Sequence, residues 1–515
     1  MKNIFYLIIL AIFSLFANQY IANRGAFPID SFLIFDAAYN IISGNHPFKD
    51  YWLITGPFLD YIQALFFLIF GINWTSYVLH GSVINVLLAV FSFYFFLNIG
   101  LKNYYAFVYS IGISLLAYPS IGAPFIDHHA VIFCVMACYS ISLGILSNKN
   151  IFWFLTPIFI TFSFFSKQIP SPYFVLLFII IILIYFYYLK NINKNILINL
   201  LIGSFLSFSL VIFIFIINQI PVQNFLTQYI FYPFSLGDSR ISRLEIDFNN
   251  LIGQFKFIYL MLIPLVISTF FLAKIKEKNL VQKKELIVSF LFLGSIGILI
   301  YCQLLTKNQV LIFFLIPICA AYSHSYTKKY FNKIYVVYFI LLIFIFTTSK
   351  YHLRFNQDRK FIELVNANFS LSEDASKIDK SLFGLKWITP HYLHSPSDEI
   401  DLLIDTKNIL LKAEEEKIII TDYQFFSSLI NNKFASPNKW YDDLSIPEKN
   451  SKYYDMHKFF FLSKIEKNKI KYLYFVGKNK NEMYFFKEFI DENKCIIPNQ
   501  LNELLLEFDI SQCEF

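Results

Sequence analysis

Long apolar stretches separated by short polar ones dominate the first 350 residues of the chain. Runs of about 17 to 23 apolar residues recur, and each is long enough to cross a hydrocarbon core of ~30 Å as an α-helix. The pattern predicts an α-helical polytopic membrane domain over residues 1–349. We place eleven spans, at 4–22, 75–97, 105–121, 128–146, 152–166, 171–189, 196–218, 256–273, 286–303, 310–324 and 334–349.

Past Lys350 the pattern changes to one that mixes polar and apolar residues in globular proportion. Residues 401–415 have a helical period, whereas 417–421 and 470–476 are rich in β-branched and aromatic residues and favour strands. The sequence therefore predicts a second, small α/β domain over residues 350–515.

Composition agrees with a membrane location, since 57% of the 515 residues are apolar, 20% are aromatic and only 15% are charged. The net charge of +7 could indicate a polyanionic partner, but the lysines concentrate in short loops on one side of the predicted spans, as at Lys149, Lys283 and Lys328. Such loops face the cytoplasm. No nucleic-acid partner is needed, and eleven spans from a cytoplasmic N-terminus make the C-terminal domain extracytoplasmic.

The first external loop, residues 23–74, is patterned rather than random. Asp30 follows Pro28 at a helix start, residues 31–42 have a helical period, and a second helix begins near Pro57. Because residues 57–70 include acidic and amide side chains, we predict that they lie at the interface instead of crossing the membrane. Asp30 could simply cap the helix that begins at the next residue, a role compatible with a chemical one.

Three motifs of the N-terminal third resemble a known class of enzymes. In the first loop, Asp30 opens a helix that runs to Gly44, and Pro57 opens a second one ending in Phe70-Gly71. This is similar to the first external loop of GT-C glycosyltransferases, the class of protein O-mannosyltransferases and lipid A aminoarabinose transferases. Residues 124–130 (PFIDHHA) and 164–170 (FFSKQIP) resemble two further turns of that class, so the resemblance covers roughly residues 1–190.

Two departures from the class occur within these motifs. Ser31 stands where many relatives have Glu, and Gln168 stands where many have Gly. The subfamily is therefore not fixed by the resemblance.

The resemblance implies an inverting transfer of a sugar from a polyprenyl phosphate donor to a glycan, lipid or protein acceptor at the extracytoplasmic face. Asp30 would be the general base that accepts the acceptor's hydroxyl proton. The leaving phosphate needs cations, and external loops near the membrane offer four: Lys167, Arg240, Arg243 and Lys307. Lys167 ranks first because it lies in a matched motif. The alternative for all four is interfacial anchoring.

Asp127 and His128 form a second candidate constellation. Oligosaccharyltransferases of the same class use an acid at this position to hold a divalent metal, whereas mannosyltransferase-like members work without one. We expect no organic cofactor, and a hydrogen-bonding or capping role for Asp127 is the alternative to a metal ligand. Asp36 and Asp50 are candidate contacts to donor or acceptor hydroxyls, and the alternative is that these acids, with Asp60, solvate exposed faces.

Other functions compatible with many spans are a polysaccharide polymerase or ligase and a lipid-linked glycan flippase or transporter. The absence of a recognisable inverted repeat disfavours transport. The wealth of Lys, Asn, Ile, Phe and Tyr is typical of an AT-rich bacterial genome and hence of an inner-membrane location. Cys495 and Cys513 could pair in an oxidising compartment if their geometry allows it.

Overall fold

The computed structural model describes residues 2–189, 193–237, 241, 247–306, 312–442, 444–478, 486–490 and 495–513. Every predicted span contains a helix. Their bounds are Lys2–Ala22, Trp74–Asn98, Asn103–Leu116, Ile126–Ser147, Asn150–Ser166, Ser171–Leu189, Lys194–Ile217, Lys256–Lys274, Leu280–Thr306, Leu315–Tyr326 and Ile334–His352.

Eight of these helices, among the described residues, are long and apolar enough to cross a membrane. The helices Asn103–Leu116, Asn150–Ser166 and Leu315–Tyr326 have 14, 17 and 12 residues and fall below that length. The chain is thus a polytopic helical protein with extensive apolar surface suited to a lipid environment. The helix Lys194–Ile217 illustrates this, because only 11% of its most apolar window is buried.

Small polar side chains join the first three helices of the bundle where they pack. Ser14 and Ser114 share a hydrogen bond of 2.6 Å. Asn18 donates to Ser82, and Asn85 donates to the carbonyls of Ser14 and Ser114. In an apolar surrounding such bonds hold helices in register where hydrophobic contact alone is not selective.

The first loop, residues 23–74, contains three helices, Pro28–Ser31, Phe35–Ile42 and Phe58–Phe70. The prediction of a helical pattern running unbroken over residues 31–42 is therefore wrong, because the helix is interrupted at residues 32–34. There the amide of Ile34 donates to the hydroxyl of Tyr77 at 3.2 Å, a tertiary bond that replaces a helical one. The helix predicted near Pro57 is confirmed, with Pro57 as its N-cap residue.

The described residues between the helices Lys194–Ile217 and Lys256–Lys274 include four short helical turns. These are Val222–Phe225, Leu226–Phe231, Tyr232–Ser235 and Asn249–Gly253.

The C-terminal part is an α/β unit around a four-stranded sheet. The strand order is Lys417–Thr421, Tyr472–Val476, Leu505–Asp509, Ile497–Gln500, with the first pair parallel and the others antiparallel. Both predicted strands are present. The predicted helix at 401–415 is observed as Pro396–Lys412, and further helices are Phe426–Leu429, Tyr454–Lys467 and Lys487–Ile490.

Short turns and a two-stranded ladder connect the last apolar helix to this unit. The turns are Leu353–Gln357, Lys360–Ile362, Phe369–Leu371, Ala375–Lys377, Lys380–Leu382 and Pro390–Tyr392, and the ladder joins Glu373–Asp374 to Lys386–Trp387. Cys495 and Cys513 form a disulfide with Cα atoms 5.3 Å apart.

The C-terminal part is built onto the first loop rather than joined by a linker. The amides of Gly25 and Ala26 donate to the carbonyls of Lys386 and Ile388, at 3.0 Å each. Farther along the loop, the amide of Trp52 donates to the carbonyl of Pro437 at 2.7 Å. The residues that precede Asp30 are consequently held by a segment more than 350 residues away along the chain.

Candidate functional site

Asp30 lies in the first turn of the helix Pro28–Ser31, whose N-cap residue is Phe27. Neither this helix nor the next, which begins at Phe35, has a side-chain hydrogen bond at its N-cap. The alternative that Asp30 caps a helix starting at Ser31 is therefore wrong, because the helix begins at Pro28. Instead the Ser31 hydroxyl accepts the amide proton of Phe27 at 2.9 Å, which leaves the Asp30 carboxylate outside the capping arrangement.

Burial is the main influence on the Asp30 carboxyl group. It raises the pKa of Asp30 from its usual value to about 6, and the negative charges of Asp127 and then Glu363 add to the effect. Above that pH the group is ionised and able to accept a proton. A pKa near the working pH is the property that a general base needs.

Asp127, whose charge influences Asp30, forms an ion pair with Lys167. Asp127 lies in the first turn of the helix Ile126–Ser147, and Lys167 is the C-cap residue of the helix Asn150–Ser166. Both side chains are largely buried, at 7% and 13% exposed. This buried ion pair links the two helix ends, and its acid, Asp127, is the larger of the two charged influences on the pKa of Asp30.

The turn that carries Lys167 is held against the first loop by tight contacts. The side-chain Nε2 of Gln168 donates to the backbone carbonyls of Ile54 and Tyr229, at 2.8 Å each. The amide of Gly56 donates to the carbonyl of Ser166, and a Cβ atom at Gly56 would lie 1.7 Å from the carbonyl oxygen of Phe165. Only glycine permits this approach. Of the predicted site residues, Asp127 thus contacts Lys167 and is close enough to Asp30 to raise its pKa.

The connecting segment after the last apolar helix also reaches this region, which the sequence did not indicate. Arg359 is 2% exposed, and its guanidinium donates to the carbonyls of Arg24, Pro119 and Ile121. It therefore ties the chain before Asp30 to the turn before Asp127. No local motif marks Arg359, because its partners lie about 240 and 335 residues away.

Glu363 is the second residue of this segment that sequence analysis missed. It is exposed and has a left-handed backbone conformation with φ of 61°. Its neighbour Leu364 packs where a side chain on Gly25 would lie, and Phe361 contacts Phe125 with ring centroids 5.3 Å apart. These contacts hold the segment of Glu363 against Gly25 and Phe125, and the Glu363 carboxylate is close enough to Asp30 to raise its pKa.

His128 is buried and contacts the rings of Tyr118 and Phe314, with centroids 5.0 and 5.6 Å away. Neither of its ring nitrogens has a hydrogen-bond partner. Its neighbour His129 bonds instead to His80 and Tyr118. Within the described part of the chain, no group of three or more His, Cys, Asp or Glu side chains has the arrangement of a metal site.

Asp36 and Asp50 make hydrogen bonds within the chain. Asp36 is buried and accepts the amide protons of Ser427 and Ser428 at 3.2 and 3.4 Å, which caps the helix Phe426–Leu429. Burial raises the pKa of Asp36 to about 7, although these hydrogen bonds act in the opposite direction. Asp50 accepts the amide proton of His46 at 2.9 Å. The alternative that Asp36 solvates an exposed face is wrong.

Three predicted phosphate ligands, Arg240, Arg243 and Lys307, lie outside the described residues. Two apolar cavities lie along the helix Lys194–Ile217. They have volumes of about 100 and 510 Å³ and share Phe165 as a lining residue. Phe165 is two positions before Lys167 in the chain, and together the two cavities form an apolar groove.

Comparison with known proteins adds no assignment. No protein-family model matches the chain, and no relative is found among curated proteins.

The arrangement has the parts for proton transfer next to a phosphate. The Asp30 carboxylate, with its raised pKa, is influenced by the charges of Asp127 and Glu363, and Asp127 is paired with Lys167. The lysine can act as a charge-assisted donor to an anion that displaces Asp127. The nearby apolar groove suits a hydrocarbon chain.

Proposed function

We propose that this protein is an integral membrane glycosyltransferase that uses a polyprenyl phosphate sugar as donor and a glycan, lipid or protein hydroxyl as acceptor. The observation that carries the proposal is the convergence of Asp30 with the Asp127–Lys167 ion pair. The three residues come from different segments, and each was selected from the sequence for a separate chemical role.

In the proposed reaction the acceptor oxygen attacks the anomeric carbon while its proton moves to Asp30. The bond between the anomeric carbon and the phosphate oxygen breaks, and polyprenyl phosphate leaves with the bonding electrons. A single displacement inverts the anomeric centre. Lys167 stabilises the charge that develops on the leaving phosphate, because a preorganised cation acts most strongly in a poorly solvated site.

The apolar groove supports a lipid-linked donor. It is lined by Phe165 and by residues of the helix Lys194–Ile217, including Val211 and Phe215, which line both of its cavities. A prenyl chain in this groove would bring its phosphate to the Lys167 turn. A water-soluble nucleotide sugar has no hydrocarbon chain that would bind in such an apolar groove.

The proposed topology has eleven spans, a cytoplasmic N-terminus and an extracytoplasmic C-terminal domain in a bacterial inner membrane. The disulfide between Cys495 and Cys513 supports it, because disulfides persist in oxidising compartments. The short helices such as Asn103–Leu116 can complete spans where the bilayer is locally thin or where neighbouring protein covers their ends.

The proposal is tested with purified protein in lipid nanodiscs and a panel of radiolabelled polyprenyl phosphate sugars. Cell-envelope extract serves as the acceptor source, and release of polyprenyl phosphate is measured. We expect one donor to be consumed, and Asp30→Asn to reduce turnover by on the order of a hundredfold to ten-thousandfold, the usual contribution of a positioned base.

Asp398→Asn is the matched control, since Asp398 is an exposed aspartate in the first turn of a helix of the C-terminal part. It should leave turnover unchanged. Failure to consume any donor, or an Asp30→Asn protein as active as the control, would refute the transfer reaction assigned to this site.

A further inference from the structure

A large cleft opens where the segment before the helix Lys256–Lys274 meets the C-terminal part. Its volume is about 760 Å³. The turn Tyr232–Ser235 forms one wall, residues 444–454 form a second and the helix Lys487–Ile490 forms a third. Cavities of this size accommodate whole small-molecule ligands.

Aromatic rings form the base of the cleft. Tyr232 and Tyr453 meet edge to face with centroids 5.4 Å apart, and Tyr232 packs in the same way on Trp52 of the first loop. The Tyr232 hydroxyl donates to the carbonyl of Leu444 at 2.9 Å. Tyr454 is half-exposed at the side of the cleft. The rings of the base are buried and held in place, and Tyr454 is a partly exposed aromatic ring in the wall of the cleft.

Charged side chains surround these rings at the rim. Asp442 and Glu448 are exposed, and Glu488 forms an ion pair with Lys449 at 3.2 Å. Both partners of this pair are about half exposed or more, at 48% and 67%, so the pair contributes little stability and opens readily. Asp442 also accepts the amide protons of Leu444 and Ser445, which fixes the turn that carries it.

This combination selects against several ligand classes. A prenyl chain fits the apolar groove better than this cleft. In the cleft it would bury the charged side chains of the rim without partners, which is unfavourable. An inorganic anion would face three carboxylates and two lysines, Lys449 and Lys452, of which Lys449 is paired with Glu488. A ligand with many hydroxyl groups fits, because hydroxyls donate to carboxylates while the C–H faces of a sugar ring pack on aromatic rings.

We propose that this cleft binds a carbohydrate chain, and that this chain is the acceptor of the transfer reaction. The second clause rests on the proposed function. A hydrogen bond connects the base of the cleft to the turn that carries Lys167. The side chain of Gln168, the residue after Lys167, donates to the carbonyl of Tyr229, and Tyr229 lies three residues before Tyr232. A glycan held here would be anchored on the same segment that contacts the Lys167 turn.

Binding is tested without any donor, by saturation-transfer NMR on the full chain in nanodiscs. The probes are short oligosaccharides that contain glucose, galactose, mannose or N-acetylhexosamines. We expect saturation transfer to at least one of them, and a loss of affinity of about threefold to tenfold in Tyr454→Ala, the effect of one aromatic contact. Glu448→Gln, a change at an exposed position, should also weaken binding.

Phe459→Ala and Glu466→Gln are matched controls on the helix Tyr454–Lys467. Both residues are exposed, and neither lines the cleft. Binding to no oligosaccharide of the panel, or equal binding by the cleft variants and the controls, overturns the proposal. If the protein binds an oligosaccharide but consumes no polyprenyl phosphate sugar, the transfer reaction is refuted, and with it the proposal that the bound carbohydrate is the acceptor. Carbohydrate binding by the cleft would stand. Transfer with an acceptor KM that the cleft variants do not change refutes only the clause that the bound carbohydrate is the acceptor.

Discussion

Removal of Lys439 should weaken the contact between the C-terminal part and the first loop more than any surface substitution. Lys439 forms an ion pair with Asp60, and their side chains are 3% and 0% exposed. The Tyr51 hydroxyl also donates to Asp60, at 3.3 Å. Burial raises the pKa of Asp60 and lowers that of Lys439, while each partner offsets part of the effect on the other.

Lys439→Met would leave the Asp60 carboxylate buried with only the Tyr51 hydroxyl as donor. Breaking a buried pair in this way costs about 3–5 kcal/mol. The carboxylate can escape by protonation, which at pH 7 costs an aspartate of ordinary pKa about 4 kcal/mol, at about 1.4 kcal/mol per unit. The expected loss is therefore about 3–4 kcal/mol at pH 7.

The pH dependence follows from the same argument. In Lys439→Met the folded pKa of Asp60 lies above its unfolded value, so the folded state binds more protons and stability falls as the pH rises. Lowering the pH from 7 to 5 should reduce the loss to about 1.5 kcal/mol. Asp60→Asn combined with Lys439→Met should recover most of the stability, since no buried charge is left.

Native-state hydrogen exchange measures this loss directly at two amides of the contact. The Trp52 amide donates to the Pro437 carbonyl, and the Lys439 amide donates to the Trp52 carbonyl at 3.1 Å. Their protection reports the free energy of opening of the contact. Unchanged protection in Lys439→Met at pH 7, or a loss that does not shrink at pH 5, would refute the reasoning.

Four further outcomes are expected. The acid limb of the pH profile of kcat/KM should have a midpoint near pH 6, because protonation of Asp30 removes the base, and a pH-independent rate down to pH 4 would contradict this. Lys167→Ala should weaken use of the donor by roughly tenfold to a few hundredfold, the loss of a hydrogen bond to a charged group, with normal membrane levels as the control. A cysteine placed at Asp422 should react with an impermeant thiol reagent in intact cells, and labelling only after permeabilisation would contradict the topology. Cys495 and Cys513 should become reactive to thiol reagents only after reduction, and labelling without reduction would exclude their pairing.

Helix positions were accessible from the sequence because an apolar run long enough to span a bilayer is nearly always helical. The helix Ile126–Ser147 was predicted at 128–146, within two residues at each end. The break at residues 32–34 was not accessible, since it depends on the bond from Ile34 to the Tyr77 hydroxyl. The spacing of apolar residues within one segment carries no information about a hydrogen bond to a distant part of the chain.

The same limit applies to side chains whose partners are distant in sequence. Asp60 was expected to solvate an exposed face, yet it is fully buried because Lys439, 379 residues away, neutralises it. Arg359 and Glu363 were missed for a related reason. They follow the last span in an unremarkable segment, and only the fold brings them to the Asp30 and Asp127 turns.

The carboxylates of the first loop differ in how they are satisfied, and this difference separates structural from chemical candidates. Asp36 accepts two backbone amide protons, Asp50 accepts one, and Asp60 is paired with a lysine. Among the described residues, no hydrogen bond stabilises the charge of Asp30, and two other acids destabilise it. A carboxylate with a raised pKa and no hydrogen-bond partner among the described residues is a candidate for a ligand contact. Asp30 is therefore a stronger candidate for such a contact than Asp36, Asp50 or Asp60.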